Sequence, residues 1–462
     1  MNLKDLQKEI LRDPVLLKVS DLVKREKIPF YLVGGYLRDL SLGKERKDYD
    51  FTLPEEVSSF IPLMERVFQF HFFRVGRDVG TSTFRVTRDN LSMDVTFFQG
   101  KTIEEDLCRR DFTLNTLAFS FLSETWHWAE GALEDIRNRR ICAVSDHSLN
   151  QDPLRMLRAI RYACTLDHFH MNQRLKEEIS AKRGLILEIP GERVKMELDY
   201  ILLSPCPHAG IKILYESGLL ITLFPELKRL ENLDQNEHHH LPVLSHTLLA
   251  IEKVLWALDW IRVRGGSLSL TQEDLLCLYY AVLFHDIGKQ DTYSKDERER
   301  VHFRHHETYS CQDTERILER LRFSNEMGGK VLRLIQNHMR ILNLTRETKE
   351  TALKRLVHQT GDEIPLLVIH SLADKEASRG ILSYENDPVV EGHCLHLLEL
   401  YRQKEIVHPL PLISGHDVMA LGYSPGPKVG QILTLILQKQ VVGEIKTREE
   451  ALTLLREEFS LE

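Results

Sequence analysis

The chain has 462 residues, enough for two to four domains with ample core. Its 42% hydrophobic and 28% charged residues match a soluble globular protein, and its longest apolar runs, "LDYILLS" and "ILTLIL", are too short to span a bilayer. A formal net charge of −8 counts mildly against a nucleic-acid partner without excluding one, because local patches matter more than the sum.

The N-terminus, "MNLKDLQKEILRD", is charged and amphipathic with no apolar stretch of its own, which argues against secretion. The 7 scattered cysteines form no CxxC pair, so reduced thiols in a cytoplasm are expected, not a disulfide frame or a structural zinc site. Residues from about 3 to 27 read as one helix by their apolar spacing. "FYLVGG" follows, a short β-rich run that breaks at Gly34 and Gly35. "DYDFTL", "FHFFRVG", "STFRVT" and "LSMDVTFFQ" are further strand candidates, so residues from about 28 to 130 form a small α/β unit. From about Leu154 onward the pattern is almost wholly helical.

Two constellations carry chemistry. In the first, Asp48 and Asp50 lie two apart in a strand pattern and so share a face. Their hard oxygens suit Mg²⁺, and Asp94 in "SMDVTF" can join them from a neighbouring strand. Gly34 and Gly35 permit close backbone approach to phosphate at a strand-to-helix turn. Arg38 can pair with phosphates, and Asp39 can hold the turn. Arg155, Arg158 and Arg161 recur at i, i+3 and i+6, a basic stripe suited to triphosphate or RNA backbone.

In the second, "LSHTLLA", "LFHDIGKQD", "RHHETYS", "QNHMRIL" and "LADKEAS" present scattered ligands from separate helices. Adjacent His285 and Asp286 can chelate one ion, with His246, His306, His338 and Asp374 arriving from elsewhere. Mixed imidazole and carboxylate suits Mn, Ni, Co, Fe or Zn better than Mg. The triplet His238, His239 and His240 reads as a loop feature outside that set.

"GGYLRD…DYD" resembles the nucleotidyltransferase superfamily, specifically class II tRNA nucleotidyltransferases (CCA-adding enzymes) and bacterial poly(A) polymerases. "EEDLCRRDFTLNTLAF" and "QDPLRMLRAIRYA" look like two further blocks of that family, in order, over roughly the first 200 residues. The resemblance implies that Asp48 and Asp50 bind metal, with Asp94 as a third catalytic acid, and that Gly35 and Arg38 contact the triphosphate. It further implies that Arg109, Arg110, Asp111 and Asn115 support phosphate and sugar, and that Asp152 and Arg155 read the incoming base. Gln151 stands where the family usually has Glu. Only Gly100, Lys101 and Thr102 stand where many full CCA-adding members carry a longer loop, so addition of only part of CCA is in view. The order H…HD…H…H…D, with "HDIGK" at its centre, similarly resembles the HD phosphohydrolase superfamily.

These resemblances imply an α+β head followed by mostly α-helical neck, HD and tail regions. The expected divisions are 1–145 (N-terminal helix and nucleotidyltransferase head), 146–230 (neck, base reading and RNA binding), 231–400 (HD metal-binding domain) and 401–462 (helical tail). The implied function is a metal-dependent tRNA 3′-end nucleotidyltransferase that adds C and/or A from CTP and ATP to the CCA terminus. The implied cofactors are Mg²⁺ in the head and a transition metal in the HD site. The expected partners are tRNA and the two nucleotides, with no membrane and no protein partner. The alternatives are a poly(A) polymerase, or a phosphohydrolase acting through the HD domain.

Overall fold

The computed structural model describes residues 2–44, 48–75, 83–88, 91–235, 240–266, 268–379 and 387–459. The chain divides into two compact units: 1–206 with 213–223, and 207–212 with 224–462. His238 and His239 lie outside the described residues. No helix among the described residues is long and apolar enough to cross a membrane.

The first unit holds a seven-stranded sheet. Its strands are β1 (Tyr31–Val33), β2 (Asp48–Leu53), β3 (Phe73–Val75), β4 (Thr83–Arg88), β5 (Leu91–Phe97), β6 (Ala118–Ser120) and β7 (Trp126–His127), ordered β3-β4-β5-β2-β1-β6-β7. All neighbours run antiparallel except β2 and β5, which run parallel. That exception sets Asp50 directly opposite Asp94. From Arg155–Thr165 onward this unit is helical apart from the short strand His170–Met171, which pairs in parallel with Arg140–Ile141. The described residues of the second unit are helical apart from one two-stranded ribbon, so the α+β head and mostly helical remainder are as expected.

One expectation fails locally. Residues from about 3 to 27 form two helices, Leu3–Ile10 and Pro14–Glu26. Pro14 cannot donate a backbone hydrogen bond and is best placed in a first helical turn. Asp13 caps that turn, its Oδ1 accepting from the N–H groups of Val15 (2.8 Å) and Leu16 (3.2 Å).

Below β2 lies a cluster of aromatic rings. Phe30, fully buried, packs against Phe51 at 5.0 Å, Phe60 at 4.9 Å and Phe121 at 6.4 Å between centroids. This cluster supports the strand that carries both aspartates. In the second unit the helix Ile364–Ser378 is buried along nearly its whole length and packs on Val243–Val263. An all-apolar helix would be ordinary there, so its buried His370 and Asp374 need a separate explanation. The tail helices Pro427–Val441 and Arg448–Phe459 share a small core around Ile432, Ile436 and Leu455.

Replacing Phe30 by alanine removes the centre of the aromatic cluster. Chemical denaturation is expected to show a loss of roughly 3–5 kcal/mol.

Candidate functional site

A cleft of about 700 Å³ opens in the first unit. It is lined by Gly34, Gly35, Arg38, Asp48, Asp50, Asp94, Arg110, Asp111, Asn115, Asp152, Arg155, Arg158 and Arg161. Of the head residues singled out from the sequence, Asp39 and Arg109 are not among the lining. Arg109 lies beside it. Its side chain is exposed, and its carbonyl accepts a 2.7 Å hydrogen bond from Arg155 Nη2.

One wall is acidic. Asp48 and Asp50 project from the same face of β2, and the parallel register brings Asp94 alongside from β5. Burial pushes the Asp50 carboxyl up to about 6; Arg110 opposes the rise, while Asp94 and Asp48 add to it. Asp94 is gripped at both oxygens by Arg85 of β4, at 2.7 and 2.6 Å. Arg110 is itself tied to the buried Asp106 at 3.1 Å. The donor set is all carboxylate oxygen, and it concentrates negative charge where a divalent cation would relieve it. It therefore fits a hard metal ion.

Gly34 has φ of +72°, a region that side chains rarely adopt. A Cβ there would meet Arg110 at 3.1 Å and the Asp50 carboxylate at 3.4 Å. Gly35 then opens the helix Gly35–Ser41, and its N–H bonds to Asp50. The Gly pair thus lets backbone, carboxylate and guanidinium crowd into one corner. Arg38 is buried, donating to Asp39 (2.8 and 2.9 Å) and to Asn115 Oδ1 (2.8 Å). Asp39 holds this arginine.

The opposite wall is basic and belongs to the helix Arg155–Thr165. Buried Asp111 accepts from the Phe112 N–H (2.8 Å), Asn115 Nδ2 (2.9 Å) and Arg158 Nε (2.9 Å). Burial alone would raise the Asp111 carboxyl; Arg158 and the hydrogen bonds outweigh it and hold it below the usual carboxylate value. Asp152 accepts from the Leu154 N–H at 3.2 Å and from Arg193 at 3.1 Å. Arg155 donates to Ser148 Oγ at 2.8 Å and reaches Gln151 only at 3.5 Å.

Sequence reasoning missed Tyr162, the hub of this wall. Its hydroxyl accepts from Asn115 (3.1 Å) and Arg158 (3.2 Å), and the guanidinium groups of Arg161 and Arg38 lie 4.8 and 5.2 Å from its ring centre. Tyr200, also on the lining, takes the other side of Arg161 at 5.0 Å, and buried Glu197 pairs with Arg161 at 3.3 Å.

Comparison with known proteins places this cleft. Residues 30–142 match the model of the Poly A polymerase head domain. Residues 168–230 match one described as "Probable RNA and SrmB- binding site of polymerase A", and residues 301–455 match a tRNA nucleotidyltransferase domain 2 model. The CC-adding tRNA nucleotidyltransferase of Thermus thermophilus is 34% identical, over 92% of this chain and 94% of that protein. The A-adding tRNA nucleotidyltransferase of Deinococcus radiodurans is 32% identical, over 91% and 93%. The solved Thermotoga maritima CCA-adding enzyme, complexed with tRNA, has a TM-score of 0.63 at 20% identity, over 99% and 98% of the two chains; that likeness is one of fold. The chain belongs to the tRNA nucleotidyltransferase family. Enzymes of this family depend on a divalent metal ion.

The second unit of this nucleotidyltransferase gathers all six remaining ligand candidates. His246, His285 and Asp374 form one triad and Asp286, His306 and His338 another, the ligand atoms of each lying within 4.8 Å of one another. All six are buried. The Nδ1 atoms of His285, His306 and His338 each face a backbone carbonyl, of Val282 (2.8 Å), Phe303 (2.9 Å) and Ile335 (2.6 Å). A carbonyl only accepts, so each Nδ1 donates and each Nε2 is turned inward, where those of His285 and His306 lie 3.2 and 3.3 Å from Asp286. His306 Nε2 and His338 Nε2 lie 3.1 Å apart, so the two rings and Asp286 converge on one point.

Burial would raise Asp286; His285 and Lys289, whose ammonium lies 2.8 Å away, outweigh it and hold the carboxyl well below its ordinary value. The sequence did not single out His370. It is fully buried, one helical turn before Asp374, and its ring lies 5.1 Å from His285 and 5.6 Å from His338. Neither of its ring nitrogens has a hydrogen-bond partner among the described residues, and burial drives its imidazole down to about 3. The i, i+4 spacing to Asp374 was the available clue.

Arg158→Ala would strip the buried Asp111 of its charge partner. Urea denaturation is expected to show a loss of roughly 3 kcal/mol, and Arg158→Lys a smaller one.

Proposed function

We propose that this chain adds C and/or A, drawn from CTP and ATP, to the CCA terminus of tRNA. The observation that carries this reading is the parallel β2–β5 register, which sets Asp50 beside Asp94 in a cleft whose other wall is the arginine helix. The two relatives named for CC and for A addition support the same reaction and divide it into steps. Partial addition is supported by the connection from β5 to the helix Ile103–Leu107, only residues 98–102.

In this reading Asp48, Asp50 and Asp94 hold Mg²⁺. Bound there, the metal supplies Lewis-acid activation of the tRNA 3′ hydroxyl and neutralises the triphosphate. The hydroxyl oxygen bonds to the α-phosphorus and gives up its proton to solvent water, the α–β phosphoanhydride bond breaks, and pyrophosphate leaves. Gly34 and Gly35 let the triphosphate approach the backbone. Arg38, Arg109 and Arg110 supply positive charge beside it. Asp111 and Asn115 fix the sugar side of the cleft through Arg158 and Tyr162. Asp152 and Arg155 offer an acceptor and donors to the base edge. Arg158 and Arg161 meet phosphate. The same proposal places the protein in a cytoplasm, where its thiols stay reduced.

The expected result is incorporation of labelled CTP into tRNA lacking CCA, or of ATP into tRNA ending in CC, falling to background in Asp48→Ala. Long A tracts on unrelated RNA would contradict the tRNA reading in favour of a poly(A) polymerase.

The two buried triads of imidazole and carboxylate favour a second reading for the other unit: a phosphohydrolase centre of HD type holding Mn, Ni, Co, Fe or Zn. Metals held there supply an activated water for attack on a phosphoester. Elemental analysis is expected to find transition metal retained in Asp48→Ala and lost in Asp286→Ala. Phosphatase activity in Ni²⁺ or Mn²⁺ is expected to follow the metal. A metal-free parent without hydrolysis would contradict it.

A further inference from the structure

Tyr49 stands between the two aspartates of β2 and, by strand alternation, points to the opposite face. Tyr36 belongs to the helix that Gly35 opens. The two rings stack at 5.1 Å, 26° from parallel. Both hydroxyls donate to a single atom, Oδ2 of Asp13, each at 3.0 Å. The other oxygen, Oδ1, caps the helix Pro14–Glu26. One half-buried carboxylate therefore joins three elements from behind the acidic wall: the N-terminal helix, the Gly-pair helix and the metal-facing strand.

We propose that Asp13 is a positioning residue that acts through Tyr49 and Tyr36 to hold Asp48 and Asp50 at the pitch a divalent cation requires. The inference rests on the proposed metal role of those aspartates. Gly35 bonds to Asp50 on the front of the wall. With Asp13 bonding Tyr36 and Tyr49 on the back, the Gly-pair helix and β2 are tied on both faces. A carboxylate suits this place because it only accepts, and two hydroxyls can converge on one of its oxygens while the other serves the cap. Sites of this kind tolerate little misplacement, and groups behind the ligands change metal affinity or activity by roughly ten- to a hundredfold when lost.

Two substitutions separate positioning from simple capping. Asp13→Ser keeps a good N-cap but is too short to supply the second oxygen. Tyr49→Phe keeps the ring and its stacking but removes one hydroxyl. Mn²⁺ binding is measured by electron paramagnetic resonance on the full chain, following the class of sites that Asp48→Ala abolishes. Single-turnover nucleotide addition is measured beside it. Both variants are expected to weaken that class roughly tenfold and to slow addition similarly, with the KM for tRNA unchanged. Mn²⁺ affinity within twofold of the parent in both variants overturns the inference. So does a loss in Asp13→Ser with none in Tyr49→Phe, which assigns the effect to the cap. If the parent adds no nucleotide at all, the function reading fails separately and the Mn²⁺ comparison still decides this inference.

Discussion

Like charges held together by one parallel strand pair set the conditions for the rest of the first unit. Asp48, Asp50 and Asp94 repel one another, and burial of Asp50 makes the repulsion more costly. The fold answers with guanidinium groups: Arg110 beside Asp50 and Arg85 on Asp94. Glycine suits position 34 because its φ of +72° strains any side chain and a Cβ there would crowd Arg110 and Asp50. The basic helix completes the cleft from the other side. Acids and arginines are kept apart across a space of nucleotide scale, so a metal-bound triphosphate would satisfy both walls. The formal charge of −8 had no bearing on this local separation.

The second unit solves a different problem with the same economy. Three histidines spend Nδ1 on backbone carbonyls, which fixes the tautomer and aims Nε2 inward. Two carboxylates join them, and Lys289 lies against one. A nitrogen-and-oxygen set selects other ions than the all-oxygen set of the head. Under the two readings proposed above, the two centres would be loaded independently.

Much of the head was legible in the sequence because its signals are local. Alternation in "DYDFTL" put both aspartates on one face, and the Gly pair marked the turn. The partnership with Asp94 was legible only as a possibility, since register between strands is non-local; the structure supplies it. Tyr162, Tyr200 and Glu197 were lost among apolar and amphipathic helix positions, where a periodic pattern gives no reason to prefer one residue. Arg85 was read only as strand. The break at Asp13–Pro14 was visible as a cap followed by proline, yet the apolar spacing running through it outweighed that signal. His370 escaped because its one clue, the i, i+4 spacing to Asp374, gains meaning only once the helix is seen to be buried against the other histidines.

The account turns on whether the acidic wall of β2 and β5 binds the metal that works on the nucleotide. The most direct measurement is anomalous diffraction from crystals soaked with Mn²⁺ and CTP or ATP. The account predicts anomalous peaks in contact with Asp48 and Asp50, with the triphosphate lying between them and the helix Arg155–Thr165. Nucleotide bound elsewhere, or bound here with no metal at these carboxylates, would contradict it.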